Sequence, residues 1–152
     1  MTLSDISSGP PGLAGKLTSR GHELAVRVYF EDTDFTGVVY HARYLHYFER
    51  GRSDFLRCKE INHKTLEEGL FGEALFFIVK AISLDFSLPA HIDDILTVET
   101  VVLSTKGARL VMQQTIMRDE VLVASAEVTV VLVNGQGKPR RLPDGLIQAL
   151  VN

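Results

Sequence analysis

Residues Val28 to Arg57 read VYFEDTDFTGVVYHARYLHYFERGRSDFLR, and this stretch decides the fold. A strand-like run, Val26 to Phe30, turns abruptly acidic at Glu31, Asp32 and Asp34, and Thr33, Thr36 and Gly37 break any regular period. From about His41 the apolar residues Tyr44, Leu45, Phe48, Phe55 and Leu56 recur at helical spacing, with Gly51 and Arg52 in mid-stripe. A carboxylate-bearing turn therefore runs directly into an amphipathic helix. First-turn N–H groups of a helix are unpaired and carry partial positive charge, which suits a carbonyl oxygen or a developing oxyanion. A carboxylate beside such a helix start is the layout of a hydrolytic site. The same residue types also serve as turn and cap residues, Gly37 supplying a backbone angle that others avoid.

Outward from this stretch, Glu23 to Phe30 reads as the first strand and Lys59 to Gly72 holds at most a short helix. The period then changes from helical to twofold. Phe76, Ile78, Ile82, Leu84 and Phe86 put apolar residues at the even positions of one strand, with Lys80 the exception. Ile95 to Ser104 is β-branched and closes at a Lys106-Gly107 turn, and Ala108 to Met117 alternates through Leu110, Met112 and Ile116. Val121 to Val133 follows an Asp119-Glu120 turn and becomes apolar on both faces, the pattern of a strand covered on both sides. A Gly-rich turn, Asn134 to Lys138, precedes a short terminal helix over Pro143 to Leu150. The pattern predicts an α+β domain, an antiparallel sheet packed against one long helix. Its open face and edges call for a second copy of the chain.

At 152 residues the chain is one domain, expected over 22–152, with 1–21 a mobile Ser-, Gly- and Pro-rich tail lacking the apolar run of a signal peptide. A net charge of −3 argues against nucleic acid as a partner. No apolar run has the length of a membrane span, and Cys58, the single cysteine, fits a reducing compartment, so a cytoplasmic location is expected. His22, His41, His46, His63 and His91 show no metal-ligand spacing, so no metal is expected.

Tyr29 to Asp34, Gly37 to Ala42, Tyr44, Glu49-Arg50 and Arg52 closely resemble the YbgC-like (tol-pal-associated) acyl-CoA thioesterases of the 4-hydroxybenzoyl-CoA thioesterase family, and the likeness continues loosely to about Pro143. This resemblance implies a hotdog fold, an antiparallel sheet wrapped around a long central helix. It also implies a homodimer or homotetramer, no cofactor, and hydrolysis of the thioester of acyl-CoA, with an acyl-carrier protein as a further partner. Asp34 matches the second aspartate of the D-x-D segment and is the expected nucleophile or general base, two routes the sequence leaves open. The amide of His41 would polarise the carbonyl, with Gly37, Val38, Val39 and Tyr40 lining the substrate site. Asp32 is expected to cap the turn. Glu49 is assigned to a contact with Arg52 or Ser53 before a role in the site. Lys106, Arg109, Lys138, Arg140 and Arg141 are candidate contacts for the phosphates of coenzyme A. The chain departs from the family pattern at Arg43, where asparagine is usual, at Gly51, where alanine is usual, and at Phe35-Thr36, where small residues are usual. Arg43 is expected to alter site polarity or shift the acyl preference, and Phe35 to narrow the pocket mouth. The alternatives are a non-catalytic acyl-CoA or acyl-carrier-protein binding hotdog protein and, less well matched in motif, a hotdog dehydratase.

Overall fold

The computed structural model describes residues 13–152. Strands β1 (Lys16–Leu17), β2 (His22–Arg27), β3 (Leu75–Phe86), β4 (Ile95–Lys106), β5 (Arg109–Arg118) and β6 (Val121–Asn134) form one sheet, in the order β1-β2-β4-β5-β6-β3 with every pairing antiparallel. Helices α1 (Arg43–Cys58), α2 (His63–Glu67) and α3 (Asp144–Val151) complete the described chain. The sheet wraps around α1, the α+β hotdog arrangement expected. No helix among the described residues is long and apolar enough to cross a membrane.

The helix buries Tyr44, Tyr47, Phe48, Gly51, Asp54, Phe55 and Leu56, a stripe at three- and four-residue spacing that faces the sheet. Leu45, expected in that stripe, is exposed, and Tyr47 takes the buried place. Against the stripe lie Leu96, Val98, Leu110, Ile116, Val123 and Val128, all essentially inaccessible. The end of β6, Val130 to Asn134, is buried on both faces, as its uniform apolar character predicts.

Three features of the sheet differ from the sequence reading. The first strand ends at Arg27, because Asp32 turns the chain: the Asp32 amide donates to the Tyr29 carbonyl at 3.0 Å, the Tyr29 amide donates to the Asp32 carboxylate at 2.8 Å, and Phe30–Asp32 becomes a 3-10 turn. The last part of the expected tail is folded, Lys16 and Leu17 pairing with Glu23 and His22, while residues 1–12 of that expectation lie outside the described residues. In β3, Lys80 falls between the paired residues Val79 and Ala81 and is left out of the ladder. A bulge of this kind reverses which parity faces the core. Before it, Leu75 and Phe77 face in while Phe76 and Ile78 are exposed; after it, Ile82 and Leu84 pack on the core. The one residue that broke the alternation in the sequence is thus the bulge itself.

Candidate active site

The acidic turn is built around a buried carboxylate. Asp32 is 4% exposed, accepts from the Tyr29 amide, and pairs with Arg43 Nε at 3.1 Å. Arg43 Nη2 also donates to the Glu31 carbonyl at 3.2 Å, and the Tyr40 amide donates to the Asp32 carbonyl at 2.9 Å. Turn and helix start are therefore tied together through one ion pair. Burial and the neighbouring Asp32 carboxylate push the Tyr47 hydroxyl above the ordinary tyrosine range. Arg43 is turned toward Asp32 and away from the cleft described below, so its expected effect on site polarity is replaced by a structural one: it neutralises a charge that burial would otherwise penalise.

Asp34 sits in the opposite environment. Its Oδ1 accepts from the Thr36 hydroxyl at 2.6 Å and the Thr36 amide at 2.8 Å, and its amide donates to the Val38 carbonyl at 2.9 Å. The Thr36 hydroxyl and then the Thr36 amide hold the Asp34 carboxyl below the usual carboxylate range. Gly37, at φ 85°, closes this turn in the left-handed region that glycine adopts without penalty. Thr36, one of the departures from the family pattern, is thus the residue that orients Asp34.

Asp34, Val38, Val39, His41, Tyr44, Phe86, Ser87, Leu88 and Pro89 line an open cleft of about 320 Å³. The expected site residues Val38, Val39, Asp34 and His41 come together here, whereas Gly37 and Tyr40 flank the cleft without lining it. Phe35 also stands clear of it in the single chain, its side chain fully exposed. Helix α1 begins at Arg43 with Ala42 as its N-cap, two residues later than expected; the Arg43 amide donates to the Tyr40 carbonyl at 2.8 Å, making 40–43 a turn that leads into the helix. The amides of His41 and Ala42 have no acceptor among the described residues, so the unpaired N–H groups at this helix entry remain available. The His41 ring is exposed and packs edge-on to Tyr40 and Phe86, at 4.6 and 6.4 Å between centroids. The buried Tyr44 lies against Phe86 and the Ala90 backbone, and burial raises its hydroxyl pKa.

The basic candidates lie elsewhere. Lys138 and Arg140 follow the end of β6 that pairs with Leu75, and the hairpin bearing Lys106 and Arg109 reaches the same end of the sheet. Phe86, at the cleft, is at the far end of β3, about 35 Å away along the strand. A single chain does not bring these cations to Asp34. Arg140 Nε pairs with Glu73 at 3.3 Å.

A second, more enclosed pocket of about 150 Å³ lies near that end, with apolar walls from Leu56, Phe77, Val79, Leu110, Met112 and Val130 and a polar edge of Glu49, Arg52, Ser53 and His63. Ser53 Oγ donates to Glu49 at 2.8 Å and lies 3.0 Å from His63 Nε2, while Arg52 donates to Gln114 at 3.0 Å. Glu49 thus takes the Ser53 contact rather than an ion pair with Arg52.

Sequence reading missed a buried polar cluster. His22 and Asp54, both buried, meet at 2.6 Å, and Asp54 also accepts from the Gly15 amide at 2.8 Å. Cys58 Sγ lies 3.7 Å from Asp54, so the three side chains form a His/Asp/Cys group of metal-ligand types. The direct His22–Asp54 hydrogen bond occupies the space an ion would need, since donors on a shared zinc stand more than about 3 Å apart. The signal was present in the sequence as an aspartate inside the apolar stripe of α1, but its partner is thirty-two residues away.

The thioesterase-like superfamily matches this chain over residues 28–150. The chain is 43% identical over 128 residues to the acyl-CoA thioesterase YbgC of Haemophilus influenzae, covering 84% of this chain and 92% of that relative. It is 40% identical over 124 residues to the acyl-CoA thioester hydrolase YbgC of Escherichia coli O157:H7, covering 80% and 90%. A probable thioesterase from Bartonella henselae, known as a crystal structure, superposes with a TM-score of 0.78 at 51% identity, over 80% of this chain and 98% of that one.

Proposed function

The chain belongs to the thioesterase-like superfamily, among the YbgC acyl-CoA thioesterases, and on that premise we propose that it hydrolyses acyl-CoA to the free acid and CoA at the Asp34 cleft. The observation that carries this reading is the pairing of an ionised, outward-facing Asp34 with His41, whose amide is unpaired at the entry to α1, on one cleft with apolar walls. The thioester carbonyl docks against the His41 amide, which gains strength as negative charge develops on the oxygen. Asp34 then acts in one of two ways. As nucleophile it attacks the carbonyl carbon to give a mixed anhydride, expelling the CoA thiolate, and water cleaves the anhydride. As general base it takes a proton from the attacking water, and the thiolate leaves as the tetrahedral intermediate collapses.

The active unit in this reading is a homodimer whose site spans two chains. β3 is an edge strand with Ile78 and Phe86 exposed, and a twofold axis pairs two such strands antiparallel. That pairing brings the Phe77–Val79 pocket and the Lys138–Arg141 end of a second copy beside the Phe86 end of the first. The acyl chain enters that apolar pocket, and Lys138, Arg140 and the hairpin cations Lys106 and Arg109 meet the phosphates of CoA. Such a protein works in the cytoplasm, where acyl-CoA is found, and an acyl-carrier-protein thioester would present the same reacting group.

Two measurements test this. Thiol release from acyl-CoA of graded chain length, aromatic thioesters included, should show saturable turnover with a preferred acyl group. Subunit exchange between Asp34→Asn and a variant neutralised at Lys138, Arg140 and Arg141 should restore activity above either parent. Confirmed exchange without recovery contradicts the shared site, and binding of acyl-CoA without thiol release favours the non-catalytic alternative.

A further inference from the structure

The segment joining β3 to β4 contributes Ser87, Leu88 and Pro89 to the cleft that Asp34 lines. Its ends are held by backbone bonds: the Ser87 amide donates to the Val123 carbonyl at 2.8 Å, and Val28 exchanges bonds with Asp93 and Asp94 at 2.8 and 2.9 Å. Its middle meets the catalytic turn, the Val39 amide donating to the Ala90 carbonyl at 2.8 Å. Pro89 brings no N–H to this scheme, and Asp93 sits at φ 69°, a left-handed angle that a non-glycine residue holds only when its surroundings impose it.

One side chain reaches this segment from the sheet. Arg118, the last residue of β5, donates from Nη1 to the Pro89 carbonyl at 3.1 Å and to Asp94 Oδ2 at 3.0 Å. The same carboxylate oxygen accepts from the His91 amide at 2.8 Å. Pro89 and Asp94 are therefore joined at a single guanidinium, with His91 tied in through the Asp94 carboxylate, and neither Arg118 nor Asp94 lines the cleft. Resting on the reading of the Asp34 cleft as the hydrolytic site, we propose that Arg118 and Asp94 are positioning residues for the reaction, fixing the Ser87–Pro89 wall against which the thioester is held. Neither touches the reacting atoms. A wall displaced by about 1 Å leaves substrate able to enter but out of line with Asp34, a misplacement that costs turnover more than binding.

The test uses the full-length protein with Arg118→Met, Arg118→Lys, Asp94→Asn and the double variant Arg118→Met/Asp94→Asn. Expected are a fall in kcat of about tenfold or more in Arg118→Met and Asp94→Asn, with KM moving less than about threefold. The double variant should be no slower than either single, because both remove one clamp. Arg118→Lys should keep most of the activity, and added guanidinium ion should restore part of kcat to Arg118→Met but not to Asp94→Asn. Unchanged kcat, or a loss that follows thermal stability and recovers neither with lysine nor with guanidinium, overturns the proposal. Hydrogen exchange supplies a readout independent of catalysis: the amides of Val39 and His91 should exchange about tenfold faster in Arg118→Met while the β4–β5 strands stay protected. Unaltered exchange there refutes the clamp even where Asp34 proves catalytic. If Asp34 proves dispensable, faster exchange upholds the clamp and removes only its link to that residue.

Discussion

Gly51 lies in the middle of α1 where the helix presses on the sheet, and Gly51→Ala adds one methyl group at that point. On helix propensity alone alanine should stabilise by about 1 kcal/mol. The added Cβ, however, would stand 2.7 Å from Val98 Cγ1 and 3.2 Å from both Gln114 Nε2 and Thr100 Oγ1. Carbon atoms prefer about 3.5–4.0 Å, and Val98, Thr100 and Gln114 are all fully buried with no room to retreat. Gln114 Nε2 moreover donates to the Phe48 carbonyl and to Thr100 Oγ1, both at 2.9 Å, so pushing it aside strains two buried bonds. Overpacking costs about 1–3 kcal/mol and each weakened bond up to about 1 kcal/mol. The net expectation is destabilisation by about 1–3 kcal/mol. For a chain of this size that lowers Tm by about 3–10 °C. Thermal and urea unfolding would measure it, the urea slope staying constant if only the native state is affected. In a Val98→Ala background the penalty should shrink by about 1 kcal/mol or more, since the clashing methyl is gone. A Gly51→Ala protein with an equal or higher Tm would show that the helix does not press on the sheet as described.

Arg43→Met removes the partner of the buried Asp32. Breaking a fully buried pair costs about 3–5 kcal/mol; with Arg43 30% exposed, roughly 2–3 kcal/mol is expected from urea unfolding, and Asp32→Asn in the same background should recover part of it. His22 is held below its ordinary value of 6.5, chiefly by burial and despite the Asp54 hydrogen bond. A folded-state pKa below the unfolded one gives stability that is present above 6.5 and is lost as pH falls from there toward the folded value. Unfolding free energy should therefore fall as pH drops below about 6.5, by up to about 1.4 kcal/mol per pH unit, and His22→Gln should flatten that slope. An unchanged slope would assign the titration to other groups.

How much could be read from the sequence follows from the range over which each feature is decided. The helix, the strands and the acidic turn were legible because period and turn chemistry are local: Tyr44, Phe48 and Phe55 announce one buried stripe, and Asp34, Thr36 and Gly37 one turn. The Lys80 bulge appeared only as a break in alternation, since its effect depends on what Val130 and Thr129 do across the ladder. In the sequence Arg43 reads as a change in site polarity because its partner, eleven residues earlier, is buried only after the turn folds over it. The His22–Asp54 pair and the Arg118–Asp94 clamp join separate elements: Asp54 stands out inside the apolar stripe of α1, but local pattern does not say which distant residue meets it, and the clamp leaves no local trace. The separation of Lys138 and Arg140 from Asp34 is set by strand order, which spacing along the chain does not reveal.

The central claim is that Asp34 does the chemistry. It is tested most directly by thiol release from the preferred acyl-CoA, comparing wild type with Asp34→Asn at matched substrate saturation. Asparagine keeps the side-chain shape and an oxygen for the Thr36 bonds but is neither a base nor a competent nucleophile. The expected result is an intact fold with kcat lower by about 10²–10⁴, together with a wild-type kcat/KM that stays flat from neutral pH down to an acid limb below the ordinary carboxylate range, where the depressed Asp34 finally protonates. Near wild-type turnover in purified Asp34→Asn would contradict the mechanism and move the catalytic group elsewhere.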